Sequence, residues 1–129
     1  MKKLTTILLL ISALFFGRAT AFAASRTVEV AQKVYAQFPA LPRSEVAGNP
    51  ENTLIRRMIQ YHTRLQGRPE QSRLDWQLTL SDYLGYNINI DPTSYPERSL
   101  LEADKAALDA LTRDQRSQLI RVLIQAFQP

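Results

Sequence analysis

The sequence predicts a small all-α domain, a bundle of four to five short helices over residues 24–129 behind an N-terminal leader at 1–23. Three observations carry that expectation. Apolar residues recur at helical spacing along the chain after the leader. Helix-opening and helix-closing residues stand where the periodic runs begin and end. The one segment that alternates like a strand finds no partner strand elsewhere.

The leader has the order of parts of a secretory signal peptide. Lys2 and Lys3 are followed by an uncharged run from Leu4 to Phe16, then Gly17-Arg18 and the small-x-small pattern Ala21-Phe22-Ala23. The run is 13 residues long, short of the roughly 20 a membrane-spanning helix needs. Cleavage is expected after Ala23, with Ala21 as the alternative. There is no cysteine to lipidate and none to form a disulfide. A single domain must therefore be held together by packing.

Three of the 16 basic residues, Lys2, Lys3 and Arg18, lie in the leader, so the remainder carries 13 basic against 12 acidic residues. A near-neutral domain lacks the dense basic surface that nucleic-acid binding requires.

The first helix is expected from Thr27 to Phe38, where Val28, Ala31, Val34, Tyr35 and Phe38 share a face and Pro39 ends it. The second is expected to open with Asn49 as N-cap and Pro50 in the first turn, and to close at Gly67. Its apolar arc holds Leu54, Ile55, Met58, Ile59, Tyr61, His62 and Leu65. Thr53, Arg56, Arg57, Gln60, Thr63 and Arg64 form the outer face. Leu74 to Gly85 reads as a helix that clusters Trp76, Leu80, Tyr83 and Leu84, with Leu74 and Leu78 nearby and Asp75, Thr79 and Asp82 facing out. The stretch from Tyr86 to Arg98 is an irregular connector, with Tyr86 and Tyr95 available for contacts. Ser99-Leu100-Leu101-Glu102 and Thr112-Arg113-Asp114-Gln115 read as capping boxes that open helices to about Leu111 and about Phe127. The expected core comprises Val34, Phe38, Leu54, Met58, Leu65, Trp76, Leu80, Leu108, Leu119, Leu123 and Phe127.

His62, the one histidine, falls inside an apolar arc. It reads as a core histidine with one hydrogen-bonded partner, Asp104 being the inward-facing carboxylate proposed for it; a general base in a small hydrolase is the alternative. Arg56, Arg57, Arg64, Arg68 and Arg73 fall within 18 residues that contain one acid, Glu70. Arginine presents a planar fork to carboxylate or phosphate, so these five are the candidate partner-binding residues. Internal pairs such as Arg73 with Asp75 or Asp82 are the competing reading. Asn87-Ile88-Asn89-Ile90-Asp91 begins like a calcium loop, but Pro92 and Arg98 stand where that loop needs glycine and glutamate. No carboxylate pair, metal-ligand set or cofactor motif is selected.

Leu111-Thr112-Arg113-Asp114-Gln115 resembles the LTxxQ pattern of the Spy/CpxP periplasmic chaperone family, which carries it twice. That resemblance implies a small exported helical stress protein, usually a dimer. Arg57-Met58-Ile59-Gln60-Tyr61-His62, with Arg68-Pro69, Arg73-Leu74-Asp75-Trp76 and Thr79 to Gly85, is similar to small exported cyanobacterial proteins of no assigned activity. That resemblance implies a periplasmic or thylakoid-lumen setting beside a membrane complex. The leading expectation is a non-catalytic accessory protein. It docks an acidic protein or membrane headgroups through an arginine-bearing helix face, with no cofactor and no metal.

Overall fold

The computed structural model describes residues 26–129, and the leader expected at 1–23 lies outside them. The described chain is helical. Helix α1 covers 26–37 and α2 covers Leu54–Gln60, running directly into a π-helical turn at Tyr61–Leu65. Helix α3 covers Arg73–Tyr83. A 3-10 turn, Arg98–Leu100, leads into α4 at Leu101–Asp109, and α5 covers Arg113–Ala126. No helix among the described residues is long and apolar enough to cross a membrane.

Helix α1 buries Val30, Ala31, Val34 and Tyr35, and Phe38 just past its end continues the i, i+3/i+4 stripe of an amphipathic helix. Tyr35 then ties α1 to the connecting loop and to the start of α2. Its hydroxyl donates to the Pro42 carbonyl at 3.0 Å and accepts the Ile55 amide at 3.3 Å. The Arg43 guanidinium lies 4.7 Å above its ring, a cation–π contact.

Helix α2 starts four residues later than Asn49-Pro50 suggests. Asn49 to Asn52 closes a turn, with the Asn52 amide on the Asn49 carbonyl at 3.1 Å. Thr53, extended and buried, is the N-cap, its hydroxyl accepting from the Arg56 amide at 3.3 Å. The cap falls immediately before Leu54, where the apolar period begins. Ser99 is displaced in the same way. It sits inside the 3-10 turn, where the extended cap conformation is unavailable, and its hydroxyl bonds to Glu97 instead. The Thr112 box forms as expected, with reciprocal bonds of 3.1 and 2.8 Å to Gln115.

Helix α3 packs on both α4 and α5. Ser72 caps it and Trp76, fully buried, is its anchor. The helical reading of 74–84 is correct, but its faces are reassigned. Thr79 and Asp82 are buried, while Leu74 and Leu78 are exposed. All the expected core residues are buried except Leu65, which is 41% exposed. The π turn explains that exception. An i→i+5 turn is wider than an α turn, so residues after it lose the α register. The bond from the Gln66 amide to the Tyr61 carbonyl, at 3.0 Å, marks this wider turn. The Thr63 hydroxyl bonds the Ile59 carbonyl at 2.8 Å, a back-bond that perturbs helices at such junctions.

Candidate functional site

The five arginines divide into three environments. Arg57 is fully buried, not on the outer face. At 100° per residue it falls within about 60° of Leu54 and Tyr61, on the margin of the apolar arc, where Asp104 of α4 reaches it. Its guanidinium forks onto Asp104, with Nε to Oδ2 and Nη2 to Oδ1 both at 2.8 Å. Nη1 donates to the Asn52 carbonyl at 2.9 Å. Burial pulls the Arg57 pKa down, but the hydrogen bond and charge of Asp104 outweigh it and leave it above its ordinary value.

Asp104 also accepts the Tyr95 hydroxyl at 2.6 Å. Tyr95 thus spends its one proton on the carboxylate, and the 2.9 Å contact between the Tyr83 and Tyr95 hydroxyls must be donated by Tyr83. Burial first, and then the Asp104 carboxylate, push the Tyr95 pKa up. Tyr95 is therefore not available at the surface, whereas Tyr86 is 82% exposed.

Arg68 is the second internal arginine. Gly67, at φ +60°, adopts the left-handed conformation that ends the helix. The turn lets the Arg68 amide reach the His62 carbonyl at 2.9 Å. It also carries the Arg68 side chain inward, where Nη1 bonds Thr79 Oγ1 and Asp82 Oδ2, each at 2.8 Å. Asp82 further accepts from Tyr61 at 2.7 Å, Asn87 at 2.9 Å and the Ile88 amide at 3.1 Å. Its partner is therefore Arg68 and not Arg73, which is exposed at the start of α3.

His62 does not meet Asp104. Its Nε2 faces the Pro69 carbonyl at 2.8 Å and Nδ1 faces the Thr79 hydroxyl at 2.7 Å. A carbonyl only accepts, so Nε2 carries the proton and Nδ1 accepts from Thr79. The ring stacks on Trp76, 3.5 Å between centroids and 6° from parallel. Burial lowers the His62 pKa, and the nearby Arg68 charge adds to the lowering against a raising bond to Pro69.

Arg56, half-buried, and Arg64, exposed, are brought together. They line a groove of about 490 Å³ with Gln60, Asn49, Asn52, Leu65, Ser94 and Pro96. No acid is in that lining, and neither arginine has an ion-pair partner among the described residues. Arg56 Nε is buried with no hydrogen-bond partner among the described residues. A second groove, about 410 Å³ between α1 and the C-terminus, also holds cations, Arg26 and Lys33. Those are already neutralised, Arg26 by Glu70 at 3.3 Å and Lys33 by Glu29 at 3.6 Å.

Gln60 was legible as the residue midway between Arg56 and Arg64 on one stripe. Ser94 and Pro96 arrive from a distant segment and left no sequence signal. The calcium-like segment is otherwise engaged. Asn87 serves Asp82, and Asp91 accepts the Thr93 amide at 3.0 Å and hydroxyl at 2.8 Å. Among the described residues, no group of three or more His, Cys, Asp or Glu could hold a metal ion.

No protein-family model, curated protein or solved structure matches this chain. The LTxxQ segment forms the capping box of α5, which accounts locally for Thr112 and Gln115.

Proposed function

We propose that this is a non-catalytic exported accessory protein that docks an acidic partner protein through the Arg56–Arg64 groove. The observation that carries the reading is the pairing pattern. Every internal arginine has its carboxylate, whereas the two groove arginines have none and share a lining without acids. Unpaired forks in a concave surface are where a partner's carboxylates gain charge-assisted hydrogen bonds. The enclosure of His62, stacked on Trp76 and bonded at both nitrogens, supports its structural role over a hydrolytic one. Arg57, Arg68 and Arg73 take no part in docking on this reading.

The test is capture from membranes by the tagged protein, wild type against R56Q/R64Q at matched salt. The double variant should melt like the wild type and lose the acidic proteins that the wild type retains. Retention should also fall as ionic strength rises, because exposed charge pairs are screened. Equal capture by both proteins would rule out docking through this groove.

A further inference from the structure

We propose that the groove takes an extended acidic peptide segment whose two carboxylates stand four residues apart, one on Arg56 and the other on Arg64. The inference rests on the docking function proposed for the groove and specifies its ligand. Arg56, Gln60 and Arg64 succeed one another at intervals of four, and all three line the groove. Eight residues of helix separate the two arginines by about 12 Å at an α-helical rise. The distance is a little shorter here because the last turn is the wider π type. An extended chain advances about 3.3 Å per residue and points alternate side chains the same way. Residues i and i+4 are therefore about 13 Å apart on one side, while i and i+2 cover only about half that. Four is the spacing that matches the backbone separation of the two arginines.

The rest of the lining suits a peptide better than a phosphate or a lipid headgroup. The side-chain amides of Asn49 and Gln60 each offer a donor and an acceptor. A peptide backbone between the two carboxylates supplies the complementary carbonyl and N–H, whereas the phosphodiester of a lipid headgroup supplies acceptors only. Leu65, turned out by the π turn, and Pro96 give the groove apolar surface for a side chain between the acids.

Three labelled peptides of one composition test this, their two glutamates adjacent, two apart or four apart, with binding to the purified protein read by fluorescence anisotropy. The four-apart peptide should bind about fivefold more tightly than the adjacent one, the gain of one additional exposed charge pair. Either R56Q or R64Q should erase that ratio without changing the melting curve, and R56K or R64K should restore part of it. Equal affinities for the three peptides, all still dependent on Arg56 and Arg64, would overturn the spacing and leave the docking reading standing. No peptide binding, with membrane capture still lost in R56Q/R64Q, would overturn the peptide ligand alone. Tighter binding to vesicles containing phosphatidylglycerol, or displacement of the peptide by millimolar inorganic phosphate, would transfer the groove to phosphate chemistry.

Discussion

Arg56 and Arg57 are neighbours in sequence and opposites in the fold. One lines an open groove with an unpartnered Nε. The other is fully buried with its guanidinium forked onto Asp104 of α4. Arg68 and Arg64 repeat the contrast farther along the chain, Arg68 bonded to Asp82 and Arg64 at the surface. Buried arginines here are structural because a desolvated charge is tolerated only with its full set of acceptors. Groove arginines are available because no carboxylate among the described residues claims them. An arginine cluster in a sequence therefore mixes two roles, and the neighbouring element decides between them.

The largest effect should come from breaking the sealed side. Asp104→Ala leaves Arg57 buried and unpaired and takes an acceptor from Tyr95. It should cost about 3–5 kcal/mol, measured by urea unfolding. The double variant Arg57→Met, Asp104→Leu should recover much of that loss, because no stranded charge remains. A single variant with wild-type stability would show that α4 opens freely and that the contrast between the two arginines is shallow.

A smaller effect comes from His62. Its folded pKa lies below the ordinary value near 6.5, so below about pH 6.5 the unfolded chain binds the proton more readily than the folded one. Stability is complete above that pH and falls as pH drops through it. Melting temperatures from pH 8 to pH 5 should decline for the wild type and decline less for His62→Gln. Parallel declines would mean that another group carries the acid sensitivity.

The smallest effect belongs to the open side. R56Q/R64Q should change stability by no more than about 0.5 kcal/mol, as surface substitutions usually do. A melting shift several times larger would show that the groove arginines also hold the fold, and capture data from that variant would then report folding.

Much of the helical order was legible from local chemistry. Gly67 and the Thr112 box act within one turn of themselves, and such signals survive whatever packs above them. Ser99 misled because its flanking residues form a 3-10 turn before α4 starts. Thr79 and Asp82 were placed outside because polar residues at the edge of a helix have no fixed side until a neighbour arrives. Here Arg68 and Tyr61 arrive and bury them. Of the groove, the Arg56–Gln60–Arg64 stripe was visible as a period of four, and its far wall was not.

The sequence by itself determined the helical class, the caps that act locally, and most of the core. Helix periodicity and capping depend on residues within a turn or two of each other. Only the tertiary structure decided that Arg57 belongs to Asp104, that His62 belongs to Thr79 and Pro69, and that Leu65 turns out beside Arg64. Those outcomes depend on which element covers each helix margin and on one widened turn. Pairing across 47 residues, as between Arg57 and Asp104, is written in packing geometry and not in spacing along the chain.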